Sequence, residues 1–390
     1  MPKNQSLKQI MADTRGSWDH DGTHPAVREN FLKVMECGTI ALGAEVYASE
    51  TDRLLVYHTC KSRTCPSCGY RATAWWQDEL QALLPDVFYV NIHFTMPSFF
   101  WPIFQQNRHL LNDLPAIGAS AIKRWAENRY GVSVILISVP QTFGGLLNFN
   151  PHLHMLVSAG GFRESEHSWI RFRFDKAELM QMWRLALSAY LWVALRTGAL
   201  RSDWATEQLL TVLEEQYKRE WIIYISPYMS RTRFLHYAGR YVRRPPVPLS
   251  HIVKITDEEV QFRAKNRKGK RMVQLLWPKD MFVATLGEHV PDRYRHAMRH
   301  FGVLAPRSKR RTSAALYAWL KQERRPRPAR LSWSQSIRMS FGVDPLIDRF
   351  GHPMRWVGRL KPNSLIGTTP GPRIPENGVS GNNKPGRSAL

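Results

Sequence analysis

The sequence has few acidic residues, few cysteines and no long apolar run. It holds 32 aspartates and glutamates against 55 lysines and arginines, a formal net charge of +23 at pH 7. No apolar stretch approaches the roughly 20 residues that a membrane-spanning helix requires, and the N-terminal MPKNQSLKQIMADTRG lacks the apolar centre of a signal peptide. We therefore expect a cytoplasmic protein that has no membrane partner. The excess of positive charge favours a polyanionic partner, most simply nucleic acid.

The chain also lacks the G-x-x-x-x-G-K-[ST] loop of nucleotide-driven motors, which argues against a helicase. With 390 residues it is too long for one ordinary core, so two or three domains are expected. The last part of the chain is basic and rich in proline, then rich in Gly, Pro, Asn and Ser. This composition predicts a largely disordered tail over 331–390.

All of the cysteines lie between residues 37 and 68, and three of them occur in the stretch CKSRTCPSCG. These three are Cys60, Cys65 and Cys68. A C-P-x-C turn brings two thiolates close together, which is typical of half of a structural zinc site. A closed tetrahedral site needs a fourth ligand, for which Cys37 is the first choice because every cysteine is then used. His58 is the second choice and Asp52 the third.

Two histidines lie two residues apart in NPHLHMLVSAGG (150–161), where a strand is predicted to begin. Side chains alternate between the two faces of a strand, so His152 and His154 project from the same face. Neutral imidazole is a common ligand of divalent metals, and two ligands leave coordination positions open for chemistry. Such a pair can also be two half-buried histidines that are simply hydrogen bonded.

A catalytic metal requires further ligands. Gln141 ends the strand that precedes the histidines, and its amide oxygen could complete the set across the hairpin, so it is the first candidate. Asn150, beside the pair, and His93, on a separate predicted strand, are the alternatives. Oxygen and imidazole ligands together suit Mg²⁺ or Mn²⁺.

Two tyrosines lie four residues apart in HYAGRYVRRPP, a segment predicted to be helical up to its prolines. On a helix, Tyr237 and Tyr241 would share one face. The arginines at positions 240, 243 and 244 surround them, and nearby cations favour the nucleophilic phenolate. Packing in an aromatic core is the alternative explanation for such a pair.

Taken in order, these segments resemble a known family. A strand bearing FTMP (94–97) precedes PHLHMLVSAGG, and YAGRYVRRPP follows. The chain resembles the HUH endonuclease superfamily, and most closely its two-tyrosine rolling-circle insertion-sequence transposases. QTFGGLLNFNPHLH, the C-x4-C-x2-C cluster and HVPDRYRHAMRHFGVL (289–304) agree with that family. The resemblance covers about residues 25–305.

The resemblance implies an α+β fold with an antiparallel, ferredoxin-like or palm-like core. It implies a zinc-binding module over 1–75, a nuclease domain over 85–250, a basic α/β region over 251–330 and then the tail. Its implied reaction is attack by one tyrosine on single-stranded DNA at an element end. That attack leaves a 5′-phosphotyrosine and a free 3′-OH, and the second tyrosine permits another strand transfer.

By the same resemblance, a divalent metal at His152 and His154 would polarise the phosphate, and the N-terminal module would contact DNA. The residues expected to contact DNA are Arg240, Arg243 and Arg244 near the tyrosines, and Lys61, Arg63 and Arg71 near the cysteines. The expected location is the bacterial nucleoid. The alternatives are a non-catalytic zinc-containing DNA-binding protein and another HUH enzyme, a replication initiator or relaxase.

Overall fold

The computed structural model describes residues 5–242, 245–266, 271–293, 298–306 and 309–363. The helices in these ranges are α1 (Gln5–Asp13), α2 (Arg15–Trp18), α3 (Pro25–Met35), α4 (Pro66–Leu83), α5 (Trp101–Gln106), α6 (Leu114–Tyr130), α7 (Lys176–Arg196), α8 (Thr206–Glu215), α9 (Arg231–Tyr237), α10 (Lys279–Glu288), α11 (Lys309–Trp319) and α12 (Trp333–Phe341). The strands are β1 (Ala44–Ala48), β2 (Arg53–Tyr57), β3 (Tyr89–Phe94), β4 (Ser133–Phe143), β5 (Phe149–Arg163), β6 (Ser168–Arg171), β7 (Ile223–Ile225), β8 (Ile252–Ile255), β9 (Glu259–Asn266), β10 (Arg271–Pro278), β11 (Arg299–Gly302) and β12 (Arg355–Leu360).

The largest sheet has the strand order β11-β4-β5-β3-β7, and β6 extends β5. Every pairing in it is antiparallel, which confirms the predicted α+β class with antiparallel sheets. The predicted hairpin of β4 and β5 forms beside β3. In its register Gln141 lies opposite His152, and His154 lies opposite His93 on β3.

Each face of this sheet packs against a different helical layer. Because side chains alternate along a strand, Leu153 and Met155 point away from the histidines into a core shared with α6 and α7. Helix α6 lies very close to β5 at Gly118, where a Cβ would stand 2.7 Å from Leu153 Cδ1. The histidine face packs instead against α4, α9 and α11, through residues such as Trp76 and Phe234.

The N-terminal region shares a core with a region much later in the chain. Leu7, Phe31 and Cys65 belong to the same buried cluster as Phe262 of β9 and Phe282 of α10. The expected boundary at residue 75 falls inside α4, and β11, expected in the basic 251–330 region, joins the main sheet. The structure therefore differs from the expected linear series of domains, since contacts distant in sequence link the segments.

The prediction of a disordered tail over 331–390 is wrong for residues 331–363. Residues 331–363 contain α12 and β12, and β12 pairs with β1 in a three-stranded sheet. The buried Asp348 carboxylate accepts hydrogen bonds from the Ser49 and Thr51 hydroxyls at 2.6 and 2.7 Å, which ties this segment to the β1–β2 turn. Residues 364–390 lie outside the described residues. Among the described residues, no helix is long and apolar enough to cross a membrane.

Candidate active site and metal centres

His152 and His154 are both buried and project from the same face of β5, as predicted. The Nδ1 of His152 lies 2.7 Å from the main-chain oxygen of Asn150. A carbonyl oxygen can only accept, so Nδ1 carries the proton and the lone pair of the ring is on Nε2. A hydrogen bond of this type commonly orients a metal-binding histidine. Asn150, considered above as a side-chain ligand, thus acts here through its backbone.

Gln141 joins the histidine pair to the tyrosine segment. Its Nε2 donates to the Val242 oxygen at 2.6 Å, and its Oε1 lies 3.2 Å from Nε2 of His154. The Val242 carbonyl requires a donor, which fixes the amide orientation and directs Oε1 toward the histidine. Two ligands at right angles on an ion about 2.1 Å away would lie about 3.0 Å apart. The observed separation fits such a pair of ligands.

His93 lies directly opposite His154, with their ring centroids 4.2 Å apart. Its Nε2 lies 3.2 Å from the Tyr237 hydroxyl. Among the described residues, His93, His152 and His154 do not form a group whose ligand atoms all lie within 4.8 Å of one another. The geometry favours Gln141 over His93 as the third candidate ligand, and it turns His93 toward the phenol.

Tyr237 is the last residue of α9, and its hydroxyl points to this polar cluster while its ring packs on the adjacent core. Residues 238–242 form a π-helical turn, so the α-helical spacing predicted for the two tyrosines does not continue through the segment. Insertions of this kind occur frequently at functional sites. The side chains of Tyr241 and Arg240 lie outside the described part of the structure, as do residues Arg243 and Arg244 in full.

Asn91 is a site residue that the sequence analysis missed. It is fully buried on β3, two residues before His93 and therefore on the same face. Its Nδ2 lies 2.8 Å from the Tyr237 hydroxyl and 3.2 Å from Nδ1 of His154. The available signal was a carboxamide two residues before His93 in the mostly apolar run FYVNIHF. A buried amide in such a run requires partners, and polar partners are what a functional site provides.

The four cysteines converge as predicted, with all four sulfurs within 4.8 Å of one another. The Cys37–Cys68, Cys60–Cys68 and Cys65–Cys37 sulfur separations are 3.6, 3.7 and 3.9 Å. A tetrahedron of sulfurs about 2.3 Å from zinc has edges of about 3.8 Å. These distances fit a closed zinc site and are far from a disulfide bond of about 2.05 Å.

The four thiols of the cluster form two pairs with opposite pKa shifts. Hydrogen bonds with Cys37 and Cys60 lower the pKa of the Cys65 thiol to about 7 and also lower the pKa of Cys68, whereas the pKa values of Cys37 and Cys60 are raised. The thiolate is the form that binds zinc. The alternative ligand His58 is occupied elsewhere, because its Nε2 lies 3.0 Å from Glu45 Oε1 and its Nδ1 lies 3.1 Å from the Leu42 oxygen.

Two segments of the chain match models of known protein families. Residues 7–96 match the family model described as "Transposase zinc-binding domain", and residues 136–312 match the model described as "Putative transposase". The first range contains the four cysteines, and the second contains both histidines and both tyrosines. The chain belongs to this transposase family.

Two curated transposases are similar to the chain over most of its length. The "Transposase for insertion sequence element IS801" of Pseudomonas savastanoi pv. phaseolicola is 28% identical over 333 residues, which are 81% of this chain and 80% of the relative. The "Putative transposase y4qJ" of Sinorhizobium fredii (strain NBRC 101917 / NGR234) is 29% identical over 308 residues, 74% of this chain and 77% of the relative. No solved structure matches. A transposase is a DNA-processing enzyme, so the polyanion expected from the charge is DNA.

Proposed function

We propose that the chain cuts and rejoins single-stranded DNA at the ends of a transposable element by an HUH-type, rolling-circle reaction. The observation that carries the proposal is the position of the Tyr237 hydroxyl. It lies 3.2 Å from His93 Nε2 and 2.8 Å from Asn91 Nδ2. A phenol packed in an apolar core would not meet these groups, whereas a nucleophile requires both a proton acceptor and an orienting partner.

In the proposed reaction, Tyr237 attacks a phosphodiester and His93 accepts the phenolic proton through Nε2. The new bond joins the phenolic oxygen to phosphorus, and the bond from phosphorus to the 3′ oxygen breaks. The departing oxygen takes up a proton and becomes a free 3′-OH, while the 5′-phosphate stays on the tyrosine. Since a phosphodiester is retained, rejoining requires no ATP. Tyr241 would serve the second strand transfer.

The donor set fits a divalent ion, Mg²⁺ or Mn²⁺. His152 and His154 would bind it through Nε2 and Gln141 through Oε1, leaving positions open for phosphate oxygens and water. When bound, such an ion supplies polarisation of the phosphate and offsets developing negative charge. Gln141 also holds the carbonyl of Val242, so the same residue would keep the tyrosine segment in place beside the metal ligands.

We further propose that Cys37, Cys60, Cys65 and Cys68 hold a structural Zn²⁺. A closed four-sulfur site has no open position for substrate, so its role is to fold the N-terminal segment. Phosphate contacts by Arg240, Arg243 and Arg244, and a nucleoid location, follow from the proposed single-stranded DNA substrate.

The proposal is tested by covalent trapping. The purified chain is incubated with Mn²⁺ or Mg²⁺ and single strands from the DNA that flanks its gene, and a denaturing gel is examined for a protein–DNA adduct. We expect an adduct with the unmodified chain that is lost with EDTA and in the Tyr237→Phe, Tyr241→Phe double variant. Tyr217→Phe, an exposed tyrosine on the surface, is the matched control and should retain it. No adduct with any strand would support a protein that only binds DNA.

A further inference from the structure

A cavity opens beside His152, at the ends of β4 and β5. Its walls come from separate parts of the chain: the loop between the cysteines, the segment before α6, both strand ends and the residues after α10. Gln141 and His152 belong both to the candidate metal site and to the cavity wall. A ligand in the cavity is therefore a direct neighbour of whatever occupies the metal site.

The walls of the cavity combine flat apolar surfaces with a polar edge. Pro140, Pro151 and Leu111 contribute apolar surface, while Asn112 and Thr142 contribute hydrogen-bonding groups. A nucleobase has the same two-part chemistry, with two apolar faces and a polar rim. Proteins that hold an extruded or unpaired base use stacking on apolar or aromatic side chains together with hydrogen bonds to the base edge.

Positive charge at the cavity suits the phosphates on either side of such a base. Arg63, from the loop between Cys60 and Cys65, and Arg299, at the start of β11, both line it. Guanidinium groups bind phosphate oxygens in a fixed fork geometry. Arg63 also brings the cysteine-containing segment to the edge of the candidate active site.

The two carboxylates at the cavity are engaged by other groups. Gln105 Nε2 donates to Glu288 Oε1 at 2.6 Å, and Asp292 Oδ1 lies 3.6 Å from Arg108 Nε. Arg108 offsets the negative charge of Asp292, and Gln105 occupies one acceptor oxygen of Glu288. The cavity chemistry favours a nucleotide over a second metal ion.

Fixed contacts hold this cavity open in its present shape. His289 is buried between two of its walls: its Nε2 donates to the Leu147 oxygen at 2.9 Å, and the Thr142 hydroxyl lies 3.1 Å from its Nδ1. Arg108 donates to the main-chain oxygens of Glu288 and Val290. Binding pockets for small ligands are usually formed in advance in this way.

We propose that this cavity binds one unpaired nucleobase of the DNA strand, next to the phosphate that reacts. This inference rests on the proposed function and deepens it, because it assigns the selection of the cleavage point to a specific base pocket. The strand would cross the sheet with that base anchored beside His152 and the adjoining phosphate over the histidine pair. Arg63 and Arg299 would contact the flanking phosphates.

The test is a binding experiment that requires no chemistry. The affinity of the whole chain for fluorescent single strands from the DNA flanking its gene is measured by anisotropy in a buffer without a chelator and without added Mg²⁺ or Mn²⁺. Each strand is then replaced by a series in which a single base at successive positions is removed, leaving an abasic site. For the unmodified chain, we expect one position to lower affinity about tenfold or more, the effect of losing one stacked base.

The cavity is then filled by Leu111→Trp, with Leu185→Trp on the exposed surface of α7 as the matched control. We expect Leu111→Trp to bind the intact strand more weakly and to lose its sensitivity at that position, while Leu185→Trp behaves like the unmodified chain. Asn112→Ala, a smaller change at the polar edge, should also reduce the loss of affinity caused by an abasic site at that position. This variant tests the proposal if Leu111→Trp fails to fold.

An abasic profile that is flat, or that is unchanged in both Leu111→Trp and Asn112→Ala, would overturn the inference. Binding without added Mg²⁺ or Mn²⁺ does not depend on the tyrosines or on the candidate catalytic metal. The base pocket could therefore fail while the covalent adduct forms, or be supported while no adduct forms, so the two proposals are separable.

Discussion

A single buried amide bridges the phenol of Tyr237 and the imidazole of His154. The Nδ2 of Asn91 lies 2.8 Å from the phenolic oxygen and 3.2 Å from His154 Nδ1, and its Oδ1 is buried with no hydrogen-bond partner among the residues that the structure describes. After a 180° rotation of this amide, Oδ1 could accept a hydrogen bond from Nδ1 of His154. His154 would then carry its proton on Nδ1 and present the Nε2 lone pair to a metal, as a metal-binding histidine does.

Replacement of Asn91 by alanine should impair the reaction far more than DNA binding. The change removes the partner that orients both Tyr237 and His154, and loss of such an outer partner typically costs 10- to 100-fold in activity or metal affinity. The measurement compares the rate of adduct formation with the strand affinity measured without added Mg²⁺ or Mn²⁺. Asn148→Ala, at the exposed hairpin turn, is the control and should change neither quantity. Equal losses of rate and affinity in Asn91→Ala would contradict a positioning role.

Removal of the Gln141 amide should raise the metal concentration needed for the reaction. Gln141→Ala deletes the candidate oxygen ligand as well as the anchor of Val242, so we expect the half-saturating Mn²⁺ concentration for adduct formation to rise by about 10- to 100-fold. The measurement is a Mn²⁺ titration of adduct yield. Gln274→Ala, an exposed residue on β10, is the control. An unchanged metal requirement in Gln141→Ala would show that another group is the third ligand.

The zinc assignment predicts different results for two neighbouring candidate ligands. We expect one zinc per chain in the unmodified protein, loss of bound zinc in Cys37→Ser, and full zinc content in His58→Ala, because His58 contacts Glu45 and Leu42 instead of the sulfurs. Metal analysis of the purified variants measures this directly. A chelator should lower the melting temperature of the unmodified chain, since the site and the fold are coupled. Zinc retained in Cys37→Ser and lost in His58→Ala would reverse the assignment.

Burial of His289 predicts a stability that falls with acidification. Burial lowers its pKa from 6.5 to about 4. Between these pH values the unfolded chain binds a proton at His289 more readily than the folded chain does. The contribution of neutral, buried His289 to the free energy of unfolding is therefore complete above about pH 6.5 and is lost as the pH falls toward 4. The shift corresponds to about 3 kcal/mol in total. Denaturant unfolding of the unmodified chain and of His289→Gln across this window isolates the effect. Parallel pH profiles would contradict it.

The histidine face was predictable because it depends on local patterns. Alternation along a strand places His152 and His154 together, and the short turn between two apolar runs sets a hairpin in which Gln141 reaches the same site. Asn91 was not predictable by this route. Its role depends on β3 lying beside β5 and on α9 folding over that face, and no local period encodes either contact.

The absence of a local sequence signal also explains the other differences between the sequence-based predictions and the structure. β12 pairs with β1 although the two strands lie some 300 residues apart in sequence, and its sequence RWVGRL has too weak an alternation to identify a strand. The π-helical turn after Tyr237 is a small departure from α-helical spacing. Its residues have the helix propensities of an ordinary α-helix, so the sequence does not predict this turn. The cysteine cluster was predictable because metal-ligand spacing is itself a local signal.

The role of Tyr237 as nucleophile is tested most directly by the identity of the residue that becomes linked to DNA. The adduct is formed in the Tyr241→Phe variant, digested with protease and nuclease, and analysed by mass spectrometry. We expect a nucleotide 5′-phosphate on Tyr237, the phenol held beside His93 and Asn91. A nucleotide on any other residue, such as the exposed Tyr224 whose ring lies 5.5 Å from that of His93, would contradict it.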